Sequence, residues 1–294
     1  MDVPMKLHKL ARPGMLSYAA QRVITKNPYR DRIASMIART KPQIDTSGDP
    51  KVEDGVSQLK DRGIYMMPGY LDAAGIQEIR ATLDGMPLDE RFKPHRKDLD
   101  LDNMPAHVHV AEYRTDAILR SKTVMRIAND PHLLAIAGNY LGCKPTISSM
   151  SIWWSLPADG TAQEAENYHR DVDDWRFVKF FLYLTDVDVS SGPHRFIQKS
   201  HRSNALSEIK RLSDIEVATH FPEADHLELI APAGDAFMEL TFGIHKGQPP
   251  IKHRRLLLQV EYSINPIAVY DYSPQKIGIN DYDRYVNRLY INND

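Results

Sequence analysis

The sequence predicts an α+β protein in which helices come first and many short strands follow, forming a barrel or a sandwich. Helical periodicity dominates the chain up to Gly142, which stands where a helix-ending glycine belongs. Beyond that glycine the pattern changes to short extended runs separated by turn residues. A block of helices followed by a block of strands is typical of α+β architecture.

The composition limits the classes of partner. The chain has 294 residues, 42% of them hydrophobic, which suffices for a sizeable core. A net charge of −2 gives no electrostatic reason to expect nucleic acid or a membrane surface as a partner. No apolar run approaches the roughly 20 residues of a membrane span, and we expect no signal peptide. The single cysteine, Cys143, cannot form an internal disulfide and favours a cytoplasmic location.

Residues 1–50 predict an N-terminal helical arm with a basic surface. Two runs of helically spaced apolar residues are separated by Pro28, where a helix would break. The basic face is either solvated while the other face packs on the domain, or it binds an acidic partner or anionic substrate. The basic residues are Lys6, Lys9, Arg12, Arg22, Lys26, Arg30, Arg32, Arg39 and Lys41.

The main domain is predicted over residues 54–270, after a linker at 41–57 that is rich in proline and glycine. A strand at 64–67 precedes a helix that Asp72 can cap, and residues 91–105 form a charged loop. Helices are expected over 115–129 and from Pro131 to Gly142. Extended segments follow at 146–156, 177–184, 195–198, 228–231, 236–241 and 255–262, with a helix-rich insertion at 204–220. Residues 271–294 form a tyrosine-rich tail that either caps the barrel or contacts a second copy in a homo-oligomer.

The segment from Tyr168 to Trp175 carries the strongest chemical signal. In an extended chain successive side chains alternate faces, so His169 and Asp171 point the same way. One imidazole beside one carboxylate supplies two ligands of the facial triad that binds Fe(II). His245, which follows the Gly234 turn and an extended run, fits best as a third ligand. The competing histidines, which lie in weaker contexts, are His107, His109, His194, His201 and His253.

The chain resembles the phytanoyl-CoA dioxygenase family over roughly residues 54–265. The resemblance lies in residues 63–71, His169 with 177–188, Gly192-Pro193, Ser200-His201, 234–238, 243–245 and 255–258. It implies a double-stranded β-helix, that is, a jelly-roll or cupin-like barrel with flanking helices. It also implies an oxidoreductase that uses Fe(II), 2-oxoglutarate and O2, most often as a hydroxylase, with His169, Asp171 and His245 as ligands. A carboxylate ligand favours oxygenation over halogenation.

The far carboxylate of 2-oxoglutarate requires a cation, and arginine can bind it with two parallel hydrogen bonds. Arg255 has the family's spacing to a closing aromatic residue and is preferred. Adjacent residues point to opposite faces, so only one of the two arginines can enter the barrel. Arg254 stays open because the distance from His245 is slightly shorter than in the family. Lys179 and Tyr183 lie four residues apart on one predicted strand, so their side chains point to the same face. Either could contact the co-substrate or the substrate. The charged surroundings favour a small polar or ionic substrate, and there is no specific signal for coenzyme A.

Two other classes of protein are compatible with the same residues. One is a cupin-like module that binds a metal or a sugar without turnover. The other is a zinc hydrolase in which Asp173 or Asp174 acts as general base on a metal-bound water.

Overall fold

The structure, a computed structural model, describes residues 14–46, 48–91, 93, 96–277 and 281–292. It is an α+β fold of two antiparallel sheets, with most of the helices packed on the larger sheet. Lys6, Lys9 and Arg12 of the predicted basic arm lie outside the described residues. None of the helices described is long and apolar enough to cross a membrane.

The strands are numbered in chain order. They are β1 (Ile64–Met67), β2 (Leu88–Glu90), β3 (Val110–Tyr113), β4 (Thr146–Ser155), β5 (Phe177–Tyr183), β6 (His194–Ile197), β7 (His226–Leu229), β8 (Ala236–Glu239), β9 (His245–Gly247) and β10 (Arg255–Ser263). The larger sheet has the order β1-β8-β5-β10-β4-β3-β2, and the smaller sheet has the order β7-β6-β9.

The helices of the described residues are also numbered in chain order. They are α1 (Met15–Val23), α2 (Asn27–Ala38), α3 (Pro50–Arg62), α4 (Ala73–Leu83), α5 (Thr115–Ile118), α6 (Lys122–Ala128), α7 (Pro131–Leu141), α8 (Asp214–His220) and α9 (Arg284–Asn287).

The two faces of strand β5 pack into two different parts of the hydrophobic core. One face of β5 carries Phe180 and Leu182, which pack with the helices in the main hydrophobic cluster. The opposite face carries Phe181 and Tyr183, which pack with Phe196 of the smaller sheet. The two sheets therefore face each other across a second cluster. Most of the helices cover the outer face of the larger sheet, whereas Val217 of α8 packs with Ile197 of the smaller sheet.

Most predicted elements are present. β1 spans the predicted residues, Asp72 accepts from the amide of Gly75 to cap α4, and α7 runs from an Asp130 cap to Gly142 in the left-handed conformation. Cys143 is buried, and burial raises the pKa of its thiol to about 11.

Two predicted elements were wrong in part. The linker predicted at 41–57 ends early, because α3 begins at Pro50, where proline's fixed φ suits the first helical turn. The helix predicted over 115–129 is two helices, because the Ser121 hydroxyl accepts from the amide of Val124 and starts α6 anew. The insertion at 204–220 contains one regular helix, α8.

Arg30 attaches the N-terminal helices to the β-structure. Its guanidinium donates to the carbonyl of Gln21 at 3.1 Å and to that of Asp174 at 2.7 Å. It also lies over the Phe242 ring, 4.3 Å from the centroid. Burial lowers the pKa of Arg30 to about 10, so the charge is kept at neutral pH.

We expect Arg30→Ala to lower the free energy of unfolding by about 2–4 kcal/mol, because buried carbonyls lose their donor. Urea denaturation measures the loss. Arg32→Ala, on an exposed residue of the same helix, is the control and should change stability little. Equal effects of the two substitutions would show that the Arg30 hydrogen bonds do not hold the helices in place.

Candidate metal centre

Two histidines from distant parts of the chain pair across a short antiparallel bridge. The amide of His169 donates to the carbonyl of His245 at 3.0 Å, and the amide of His245 donates back at 3.1 Å. Two residues on, the amide of Asp171 donates to the carbonyl of Thr241 at 2.9 Å. The segment is not a regular strand, yet this pairing places the His169 and Asp171 side chains together and His245 opposite them.

The side chains of His169, Asp171 and His245 converge on one point. Their ligand atoms all lie within 4.8 Å of one another, and no other such group of His, Cys, Asp or Glu occurs in the part of the chain that is described. Asp171 Oδ1 lies 3.4 Å from His169 Nε2, and Asp171 Oδ2 lies 3.4 Å from His245 Nε2. Two imidazoles and one carboxylate at this spacing can hold a divalent metal ion.

Backbone carbonyls orient both imidazoles. Nδ1 of His169 donates to the carbonyl of Asn167 at 2.9 Å, and Nδ1 of His245 donates to that of Gly243 at 3.0 Å. With the proton on Nδ1, a neutral ring presents the Nε2 lone pair to the common point. Burial, reinforced by His245, lowers the pKa of His169 to about 4, so that ring is neutral at physiological pH.

Lys179 holds the carboxylate of the group. Its ammonium donates to Asp171 and to Asp173, both at 2.8 Å, and lies 3.4 Å from Glu261. Burial alone would raise the pKa of Asp171, but Lys179 and the two imidazoles hold it well below its usual range. Asp171 is therefore an anion with one oxygen fixed by Lys179.

A histidine–carboxyl pair lies behind His245. The His194 ring stacks on the His245 ring with centroids 5.6 Å apart, and its Nε2 is 2.9 Å from Glu239 Oε2. Glu239 is fully buried, and this burial raises its pKa to about 8. Burial also lowers the pKa of His194 well below its usual value, so the pair is neutral at pH 7.

Arg255 is buried with part of its hydrogen-bonding capacity unused. Nη2 donates to Ser155 Oγ at 3.1 Å, whereas Nε and Nη1 find no partner among the described residues. Unpaired donors on a buried guanidinium are costly, and a planar anion could accept from them. Tyr183 is its neighbour, and burial raises the pKa of that phenol to about 12, against the opposing charge of Arg255.

Arg254 points the other way. Its side chain is 45% exposed, lies over Trp154 and is 3.8 Å from Asp102. Of the two arginines, only Arg255 enters the interior of the β-structure.

The competing histidines do not join the group. His109 is paired with Glu166 at 2.8 Å, and His201 Nε2 faces the carbonyl of Lys60 at 3.1 Å. His194 is bonded to Glu239, and His107 and His253 are exposed.

Sequence reasoning missed the partners of Lys179 and the roles of Glu239 and Glu261. A signal was present for Lys179 and Glu239, because each is the single charged residue of a strand that is otherwise apolar or aromatic. Glu261 gave a weaker signal, because β10 also contains Arg255 and Gln259. Lys179 contacts the carboxylate end of the site, and Tyr183 lies at the arginine end.

The fold is similar to that of solved iron- and 2-oxoglutarate-dependent enzymes. The epimerase SnoN, in complex with Fe3+, α-ketoglutarate and nogalamycin RO, has 19% identity and a TM-score of 0.52, covering 73% of this chain and 84% of its own. HygX from Streptomyces hygroscopicus, with nickel and 2-oxoglutarate, has 16% identity and a TM-score of 0.51, covering 81% and 98%. HygX with hygromycin B also bound has 15% identity and the same TM-score, covering 82% and 96%. These similarities are similarities of fold.

No protein-family model matches the chain, and no curated protein matches it. Membership of the phytanoyl-CoA dioxygenase family therefore stays a prediction.

We expect Lys179→Met to destabilise the metal-free protein by about 3–5 kcal/mol, because buried carboxylates lose their cation. Added Ni(II) should raise the melting temperature more in the variant than in the wild type, because the metal replaces the positive charge beside Asp171. Lys199→Met, which removes a 49% exposed partner of Asp225, is the control. If Ni(II) raised the melting temperature of the wild type and of Lys179→Met by the same amount, Lys179 would not be the cation that neutralises Asp171.

Glu239 predicts a pH dependence of stability. The folded metal-free protein keeps a proton on Glu239, whose raised pKa is about 8, while the unfolded chain releases it near pH 4.5. The stability that this proton contributes is complete below the lower pKa and is lost as the pH rises through the higher one. We expect the wild type to lose about 2–4 kcal/mol more than Glu239→Gln between about pH 5 and pH 9.

Denaturation at both pH values in the presence of a chelator measures this difference. Glu228→Gln, on an exposed glutamate paired with Arg195, should keep the wild-type pH dependence. A Glu239→Gln variant with the wild-type slope would show that Glu239 is ionised in the folded protein.

Proposed function

We propose that the chain is an Fe(II)- and 2-oxoglutarate-dependent oxygenase that acts on a small polar molecule. One observation carries the proposal: a triad of His169, Asp171 and His245 shares the interior of the β-structure with the partly unpaired guanidinium of Arg255. A facial triad leaves three metal positions for a bidentate 2-oxoacid and O2. The buried arginine matches the remaining carboxylate of such an acid.

The residues present fit the metal and the co-substrate. His169 is neutral and Asp171 is ionised, as metal binding requires. Burial alone would lower the pKa of His245, but Asp171 raises it, so a bound metal ion would displace the proton from its Nε2. Arg255 carries two unused donor atoms, and a planar carboxylate accepts two parallel hydrogen bonds.

Bound Fe(II) with 2-oxoglutarate supplies the activation of O2 for attack on an unactivated C–H bond. The chain supplies the surroundings of that chemistry. Lys179 donates to Oδ2 of Asp171, the oxygen that faces His245, while Oδ1 faces His169. Arg255 would orient 2-oxoglutarate, with Tyr183 and Ser155 beside it. The apolar residues Phe181 and Phe237 line the interior between these groups and exclude water.

The finer assignments follow from the same proposal. The two facing sheets are the walls of a double-stranded β-helix of the phytanoyl-CoA dioxygenase type, over residues 54–270, flanked by the arm at 1–50 and the tail at 271–294. The reaction proposed is hydroxylation in the cytoplasm. Because the structurally similar SnoN is an epimerase, product analysis should test for inverted stereochemistry as well as for added oxygen.

Anaerobic titration with Fe(II) and 2-oxoglutarate tests the function. A weak visible absorption band should form with the wild type and disappear in His245→Ala. A cupin-like module that binds a metal or a sugar would give no band and no succinate in air. A zinc hydrolase needs a free base near the metal, but Asp173 is bonded to Lys179 and Asp174 accepts from the amide and side chain of Asn265.

We expect Arg255→Ala to weaken 2-oxoglutarate binding by roughly 100-fold or more, because removing one partner of a buried charge pair costs about 3–5 kcal/mol. Calorimetry on the Ni(II)-loaded protein measures this affinity without turnover. Arg254→Ala is the matched control and should bind 2-oxoglutarate as the wild type does. The reverse result would transfer the role to Arg254.

A further inference from the structure

A cavity with no candidate metal ligand in its lining lies between the N-terminal helices and the β-structure. Its volume is about 470 Å³, which is within the range of sites that bind small molecules. Helices α2, α3 and α7 contribute to its lining, together with the start of β5 and the segments that follow β6 and β8. Neither Arg255 nor Tyr183 lines it, so the cavity is separate from the proposed 2-oxoglutarate site.

The lining of this cavity carries an excess of positive charge. Its cationic side chains are those of Arg30, Lys60, Arg176 and Arg202. The only carboxylate among the described residues of the lining is that of Asp31, which lies 3.6 Å from Arg176. Arg202 is 3.0 Å from Asp61, which lies outside the lining. The other two cations form no ion pair with a described residue, so two positive charges of the lining are uncompensated.

The charge of Arg30 is held inside the protein without a carboxylate in contact. Arg30 is 2% exposed, and all of its hydrogen bonds go to backbone carbonyls. The carboxylate of Asp174 offsets part of this charge, but its oxygens accept from Asn265 and from the amide of Trp175. Arg170, which is also bonded only to carbonyls, lies over the same phenylalanine ring and adds a further charge. An anion in the adjacent cavity would reduce the cost of burying these charges.

The cavity also offers unused donors together with apolar surface. The side chains of Lys60, Asn139 and Tyr140 make no hydrogen bond to another described residue. Burial raises the pKa of Tyr140 to about 12, so its hydroxyl keeps the proton that it can donate. Burial lowers the pKa of His201 to about 4, so this ring of the lining adds no charge. The apolar part of the lining consists of Trp175, Phe177, Leu240 and Phe242.

We propose that this cavity binds an aromatic phosphate monoester. At pH 7 such a phosphate carries a charge of about −1.5 to −2, which matches the two uncompensated cations. Its oxygens accept from the unused donors of the lining, in charge-assisted hydrogen bonds where the donor is an ammonium, and the attached ring packs against the apolar part. The site is independent of the proposed function, because it requires neither the metal nor 2-oxoglutarate.

Three probes test the proposal by calorimetry on the metal-free protein with a chelator present. They are 1-naphthyl phosphate, 1-naphthol, which lacks the phosphate, and inorganic phosphate, which lacks the ring. We expect 1-naphthyl phosphate to bind about tenfold more tightly than either of the others, a difference of ~1.4 kcal/mol. Its affinity should fall as NaCl is added, because salt screens the attraction between charges that solvent reaches.

Two substitutions of exposed residues should change the affinity in opposite directions. Lys60→Gln removes an uncompensated charge and should weaken the binding of 1-naphthyl phosphate about three- to fivefold. Asp31→Asn removes the carboxylate of the lining and should strengthen binding by a similar factor, which damage to the fold would not do. Lys51→Gln, on an exposed lysine of α3 outside the lining, is the control and should leave the affinity unchanged.

The same titration on protein loaded with Ni(II) and 2-oxoglutarate tests the location. We expect the affinity for 1-naphthyl phosphate to stay as in the metal-free protein, because no candidate metal ligand lines the cavity. Displacement of 2-oxoglutarate by 1-naphthyl phosphate would place the binding at Arg255 and overturn the proposal. So would no binding, equal binding of 1-naphthyl phosphate and 1-naphthol, or an affinity that neither Lys60→Gln nor Asp31→Asn changes. A failure of Ni(II) or 2-oxoglutarate to bind would count against the proposed function alone.

Discussion

The reciprocal backbone hydrogen bonds between His169 and His245 are the constraint on which the candidate site depends. They join two segments that lie far apart in the chain, and they hold the backbones of His169 and His245 directly opposite each other. The neighbouring bond from Asp171 to Thr241 prevents a slip of one residue, which would turn His169 and Asp171 to the opposite face. The arrangement of the three side chains is therefore determined by the register of this backbone pairing, before any metal binds.

Local sequence patterns predicted much of this arrangement. The alternation of side chains along an extended chain was enough to pair His169 with Asp171, and capping residues such as Asp72 and Asp130 located the starts of two helices. The choice between Arg254 and Arg255 required the register of β10 against β4, which places Arg255 opposite Ser155 on the inner face. The alternation of side chains along a strand, taken alone, allows either arginine to point inward.

The remaining features depend on contacts that no local pattern contains. Gly55 weakens the helical signal of α3, yet a Cβ there would approach Ile136 to 2.8 Å, so the glycine permits close packing of α3 on α7. The partners of Lys179 come from the 171–173 segment and from β10, and only the folded sheet brings them together. A charged residue in a buried strand signals that partners exist but does not identify them.

The position of Arg30 has a consequence for biosynthesis. Its guanidinium needs the carbonyls of Asp174 and Trp175 and the ring of Phe242, all of which leave the ribosome much later than α2. Strand β5 in turn needs β10 as its neighbour. The Arg30 guanidinium therefore stays exposed, and α2 stays undocked, until nearly the whole β-structure has been synthesised. Helices α1 and α2, although synthesised before the β-structure, are therefore among the last described parts to reach their final place.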